Sequence, residues 1–392
     1  MQAQRNHIDR VLLIVVLFLM VASTVVVYSA SSTWALQKYG ATGGLVNRHI
    51  IKVLVGLAAI FIAMSIDYRY YKKLTKFALI VCLVLLFFTL AIGGEIKGAV
   101  RWLSLGGFSL QPSEAAKFAL VFHLSALLAT KGLKLRDFKT GFVPLMLWVG
   151  AVVLLVMLQP NFSTGAMIFI LGMVMVYAGG ARFKHLVLSL AALIPVALVY
   201  MVSAEYRMRR IIAFIGHGDG GTTPSKANYQ LWQGIIGFGN GGLFGVGMGA
   251  SKQRDLFLPE SYGDFVFSIV GEEYGFIGTI IFMALFLTIF LRGFKIAKNA
   301  PDEFGKFLAI GITSTIVVYA LGNALVTLGL FPTTGLPMPF VSYGGSAIVF
   351  SSFAIGVLLN ISTHTDLHPR QARASAETPP IEYNEPAVGQ LY

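Results

Sequence analysis

Long apolar runs separated by short polar connections set the pattern of this chain. Runs long enough to cross about 30 Å of hydrocarbon fall at 11–30, 50–66, 74–93, 113–130, 142–158, 163–180, 184–203, 264–291, 306–330 and 341–361. They predict an all-α polytopic membrane protein of about ten transmembrane helices. The first run is too long for a signal peptide and no small-residue cleavage pattern follows it, so it reads as a retained span. Only Gln159, Pro160 and Asn161 divide the fifth run from the sixth, which predicts a tight hairpin. Between the seventh and eighth runs lies the longest connection, 204–263. A connection of that length in a compact protein is functional or disordered; this one carries Tyr206, Arg207, Arg209, Arg210, Tyr229, Trp232, Phe238 and Phe244 among its glycines, which argues against a linker. The polytopic domain is expected over 1–363. A disordered tail is expected over 364–392, where Pro369, Pro379, Pro380 and Pro386 accompany few large apolar residues.

Charge then orients the helices. Arg5 and Arg10, the group Arg69, Lys72, Lys73 and Lys76, the group Lys131, Lys134, Arg136 and Lys139, the pair Arg182 and Lys184, and the group Arg292, Lys295 and Lys298 fall on alternate connections. They share one side with Arg370 and Arg373. By the positive-inside rule that side is cytoplasmic, with both termini there and 204–263 outside. Composition agrees: 56% of residues are hydrophobic and 12% charged, against about a quarter charged in soluble domains. A net charge of +12 would suggest nucleic acid in a soluble protein; here it reflects basic loops, and no nucleic-acid partner is expected. Cys82 is the sole cysteine, which excludes an intramolecular disulfide and a thiolate metal site.

Candidate chemistry clusters at the ends of the runs. The stretch D-L-F-L-P-E-S-Y-G-D-F-V-F-S-I-V-G-E-E-Y-G, Asp255 to Gly275, places Asp264 where a polar segment meets an apolar one and Glu272 and Glu273 inside the apolar run. Carboxylates there cost a few kcal/mol and mark functional sites by default. Asp264 could also cap the helix starting at Phe265, and the two roles are compatible. Glu114 and Lys117, three apart after Pro112 and Ser113, share a helix face, either as a structural ion pair or as part of a site. Arg101 and Trp102 would lie at headgroup level. Q-P-N-F-S-T-G, Gln159 to Gly165, is an outer turn. The arginines of E-Y-R-M-R-R, Glu205 to Arg210, run against the orientation bias; a guanidinium fork suits a diphosphate, and anionic headgroups are the alternative. G-F-G-N-G-G within Asn228 to Arg254 fits a dinucleotide fingerprint only formally, because no strand–helix unit surrounds it. Lys252 and Arg254 follow, adding charge near Asp264. F-P-T-T-G-L-P-M-P-F-V-S-Y-G-G-S, Phe331 to Ser346, suits a cavity-lining segment or a rigid turn.

G-A-V-R-W with Q-P-S-E-A-A-K, Q-P-N-F-S-T-G, Y-R-M-R-R, the glycine-rich run ending K-Q-R, L-P-E-S-Y-G-D-F-V-F-S-I-V-G-E-E-Y-G and T-T-G-L-P-M-P-F-V-S-Y-G-G-S occur in this order from the first helix to about Thr363. Together they resemble the SEDS family (shape, elongation, division and sporulation). V-Y-S-A-S-S in the first helix and G-E-E-Y-G look more like its division members than its elongation members. The resemblance implies a peptidoglycan glycosyltransferase that polymerises lipid II, the undecaprenyl diphosphate-linked substrate, at the outer face of the bacterial cytoplasmic membrane. Its implied partners are a class B penicillin-binding protein and other membrane proteins of the division or elongation machinery. The family's essential aspartate falls on Asp264, and its conserved glutamate and lysine on Glu114 and Lys117. S-Y-G precedes Asp264 where relatives commonly have A-H-T, and Asn161 stands in place of a common aspartate.

Joining two sugars with a lipid diphosphate as leaving group needs a base for the acceptor hydroxyl and positive charge for the departing diphosphate. Asp264 suits the first need; Arg101, Arg207, Arg210 and Lys252 are candidates for the second. A divalent cation, magnesium or manganese, on the diphosphate fits the same carboxylate. Glu272 is no partner acid, since eight helical residues rise about 12 Å. The rival functions are a lipid II flippase, which predicts charge at mid-membrane and an internal repeat, and a noncatalytic scaffold for division proteins. Charge gathered at the outer ends of the runs favours the polymerase.

Overall fold

A computed structural model of the chain describes residues 6–92, 94–96, 99–105, 108–202 and 229–367, together with 208, 212 and 214. Each of the ten apolar runs becomes a helix, because the hydrocarbon leaves backbone groups no partner but their own segment. They are α1 (Arg10–Tyr39), α2 (Gly44–Ser65), α3 (Tyr68–Ile92), α4 (Pro112–Lys131), α5 (Val143–Leu158), α6 (Phe162–Ala178), α7 (Phe183–Val202), α9 (Val266–Lys298), α10 (Glu303–Thr327) and α11 (Gly345–Ser362). The amphipathic α8 (Tyr229–Gly241) lies in the long connection between α7 and α9. Among the described residues, eight helices meet a length and hydropathy threshold for crossing a membrane. The remaining two of the ten are α6, which is shorter, and α4, whose apolar run is interrupted by Glu114, Lys117 and His123. α10 and α11 are the most buried spans and form the centre, while α7 lies at the margin.

The all-α expectation needs one amendment. Between α3 and α4 the chain forms a small antiparallel sheet of β1 (Gly94–Ile96), β2 (Ala99–Leu105) and β3 (Phe108–Leu110), in that order, with Leu103 opposite Leu110. Short strands in a polar connection carry too few alternating positions to stand out from a loop.

The start and the end of the described chain meet at one end of the bundle. Asp9 accepts from the Leu12 N–H as the cap of α1, donates its own N–H to Ser362 Oγ at 3.0 Å, and pairs with Arg292 Nη2 at 2.6 Å. Asn6 donates to Thr363 O and, through Nδ2, to Thr365 O. The α2–α3 turn joins the same end, with His364 Nε2 at 3.5 Å from Asp67. The ordered domain thus extends past the boundary expected at 363: Thr365 is buried and the described chain runs to Leu367. The rest of the expected tail, 368–392, lies outside the described residues.

α9 is broken at Gly275, whose φ of 66° and ψ of −163° leave the helix. The glycine-rich loop after α8 supplies the hydrogen bonds lost there. Val246 and Gly247 donate to the carbonyls of Glu272 and Glu273, and Phe276 and Ile277 donate to those of Gly242 and Leu243. Glycine is required at 245, where φ is +85° and a Cβ would come 2.1 Å from Glu273 O.

Candidate active site at the Asp264 end of the bundle

Helix α9 begins after Phe265, and no side chain caps it. Asp264 therefore does not act as the cap that its sequence position allowed. The turn that carries it is fixed from three sides. Ser261 Oγ donates to Ala30 O on α1 at 2.9 Å, Tyr343 N donates to Tyr262 O at 2.9 Å, and Asn323 Nδ2 on α10 donates to Asp264 O at 2.7 Å. The Asn323 amide also donates to Leu336 O at 2.7 Å, which ties the 331–344 connection to the same point. That connection passes close over the carboxylate: at Gly335, with φ +71°, a Cβ would lie 3.1 Å from Asp264 Oδ2, so a side chain there would be strained and would press on the carboxylate. Burial, with Glu260 adding to it, pushes the Tyr262 phenol up, so this ring presents a neutral hydroxyl beside the turn.

The Glu114–Lys117 pair forms as its spacing predicts. Lys117 Nζ is 2.7 Å from Glu114 Oε2, with both side chains almost fully buried, and it lies 3.8 Å from the centre of the Tyr319 ring. Tyr319 and Asn323 are four apart on α10, so they share a face about one turn, 6 Å, apart. One holds the lysine of the pair and the other holds the backbone of Asp264. α10 thereby brings the two predicted groups to one wall. The start of α4 is joined to the start of α11 by Gln111 N donating to Ser346 Oγ at 3.0 Å. Tyr319 and Asn323 went unremarked in the sequence, and Ser346 entered only as the end of the 331–346 stretch. Two polar residues spaced i, i+4 in an apolar helix, V-Y-A-L-G-N, were the signal for the first two.

The cations divide differently. Arg101, on β2, donates through Nε to Gln159 O at 3.3 Å and through Nη2 to Pro160 O. Its guanidinium thus clamps the α5–α6 hairpin, uniting two stretches that the sequence kept apart. Lys252 has an exposed side chain and donates its backbone N–H to Glu272 Oε1 at 3.3 Å; among the described residues it forms no ion pair with Asp264. Arg207 and Arg210 lie outside the described residues. The two carboxylates inside the apolar run hold the glycine-rich loop. Glu272 accepts from Ser251 Oγ, Gln253 N and Asn240 Nδ2, and Glu273 accepts from Ser29 Oγ and from Gly249 N at 3.1 Å.

Residues 9–367 match the family model of the FtsW, RodA and SpoVE cell cycle proteins. The chain belongs to that family. Among relatives within it, the Geobacter metallireducens protein named "Probable peptidoglycan glycosyltransferase FtsW" is 39% identical over 91% of this chain and 94% of its own. Stage V sporulation protein E of Bacillus subtilis is 35% identical over 93% of this chain and 100% of its own. Among solved structures, the FtsW/RodA fold recurs in RodA of Thermus thermophilus, with a TM-score of 0.64 and 26% identity over 88% of this chain and 95% of that one. It recurs also in a chain of a peptidoglycan synthase complex studied for its coordination of polymerisation and crosslinking, with a TM-score of 0.73 and 24% identity over 91% and 97%.

Proposed function

We propose that this chain is a peptidoglycan glycosyltransferase that polymerises lipid II into glycan strands, with Asp264 as the group that acts on the acceptor sugar. Placement of Asp264 carries the reading: a carboxylate not used as a helix cap, held by its backbone through Asn323 of α10, at the end of a bundle where Tyr319, one turn along the same helix, packs on the buried Glu114–Lys117 pair of α4. The acceptor hydroxyl attacks the anomeric carbon of the donor sugar, Asp264 takes the proton, and the bond to the lipid diphosphate breaks with the electron pair leaving on the diphosphate. Leaving-group charge needs cations, and Arg207 and Arg210 remain the candidates of the long connection.

Among the described residues no three histidine, cysteine or carboxylate side chains converge on a metal position. Among the described residues Asp264 would serve as a protein ligand to a magnesium or manganese ion that also takes diphosphate oxygens. Such an ion would neutralise charge developing on the diphosphate.

On the positive-inside rule, the basic connections support a bacterial inner-membrane orientation with the end where Asn6 meets Thr365 facing the cytoplasm and Asp264 facing outward. A class B penicillin-binding protein is the proposed partner, supported by the likeness to a chain of a peptidoglycan synthase complex; other division or elongation membrane proteins would join it. Purified protein mixed with lipid II and its cognate partner should yield glycan strands on a gel. A preparation that moves lipid II between leaflets without making strands would favour the flippase instead.

A further inference from the structure

Lys52 takes no part in the machinery described above. It lies about two turns into α2, half-buried in a spanning helix, and among the described residues it has no carboxylate partner. Its Nζ sits 3.6 Å from the centre of the Tyr343 ring, and its stem runs beside Gly345, where a Cβ would come 3.1 Å from Cε. Tyr343 is fixed in turn. Its ring packs against His49 at 5.7 Å and edge-on against Tyr262 at 5.8 Å, and its N–H donates to Tyr262 O. Tyr262 precedes Asp264 by two residues, no more than about 7 Å between Cα atoms. The 335–345 stretch spans the same gap, passing beside Asp264 at Gly335 and beside Lys52 at Gly345.

An ammonium inside a spanning helix without a counter-ion is costly, and such residues mark ligand paths. The aromatic face offsets only part of that cost, and it leaves the ammonium's donors for an anion. On the reading of the preceding section, the anion that arrives at this end of the bundle is a lipid-borne diphosphate. We propose that Lys52 binds the diphosphate of the lipid-linked sugar and that Tyr343 positions its ammonium toward Asp264's side of the site.

The test compares wild type, Lys52→Met, Lys52→Gln and Lys52→Arg in nanodiscs of phosphatidylcholine, with and without phosphatidylglycerol. Thermal unfolding, the Kd for lipid II and the KM for polymerisation are read for each. A lost charge-assisted contact should raise Kd and KM about tenfold to a hundredfold in both bilayers, with melting at the wild-type temperature for at least one neutral variant, and Lys52→Arg should recover most of the affinity. Wild-type Kd in folded Lys52→Met or Lys52→Gln would overturn the proposal. So would a loss confined to bilayers containing phosphatidylglycerol, which would make a lipid headgroup the ligand. If wild type binds lipid II yet makes no strands, the polymerase reading fails and the Kd values still decide Lys52.

Discussion

Lys117 sits between the Glu114 carboxylate and the face of Tyr319, and both lie where water does not reach. Neutralising one member strands the other charge, so Glu114→Gln or Lys117→Met should each cost about 3 to 5 kcal/mol. Thermal unfolding in detergent checks this; a double variant as impaired as either single shows one unit, and two silent singles refute it. Asn323 acts one turn away and touches backbone only, at Asp264 and Leu336. Asn323→Leu releases the turn from α10 and should lower kcat about a hundredfold, the effect of misplacing a reacting group by 1 Å, while the Kd for lipid II stays at the wild-type value. A fall in affinity with kcat intact would show that Asn323 shapes the binding surface instead.

At the scale of elements, the break in α9 and the loop that mends it are one device. Gly245 approaches the Glu273 carbonyl too closely for any side chain, so Gly245→Val should force the loop off α9. A cost of about 1 to 3 kcal/mol follows from overpacking; urea unfolding of the variant reads it, and an unchanged midpoint would mean that the loop is held by its side chains alone. The spanning helices were legible in the sequence because hydrocarbon demands a continuous apolar run, and ten such runs became ten helices. The loop's attachment was not legible, since Glu272 and Glu273 looked like charges in the membrane until Ser251, Gly249 and Ser29 appeared as their donors. Asp264 stood out as an acid at a polar–apolar border, whereas Tyr319 and Asn323 gained meaning only once α4 and the Asp264 turn packed on the same face of α10. Arg101 suits the diphosphate by sequence, but its clamp on the α5–α6 hairpin was not legible, because nothing in the sequence shows that β2 faces that hairpin.

For the whole molecule, alternation of basic connections predicts an orientation that labelling can test. In a Cys82→Ser background, cysteine at the exposed Ala41 should react with an impermeant thiol reagent on spheroplasts, and cysteine at the exposed Lys139 should react only after lysis. The reverse pattern would place Asp264 on the wrong side of the membrane for lipid-linked glycan assembly. The central claim concerns the carboxylate, and Asp264→Asn tests it with little change of shape. With purified protein, lipid II and the cognate partner, the variant should melt at the wild-type temperature and bind lipid II with the wild-type Kd. Its rate of glycan strand formation should fall by at least about a hundredfold, the contribution of a general base. Strands made at the wild-type rate by folded Asp264→Asn protein would contradict it.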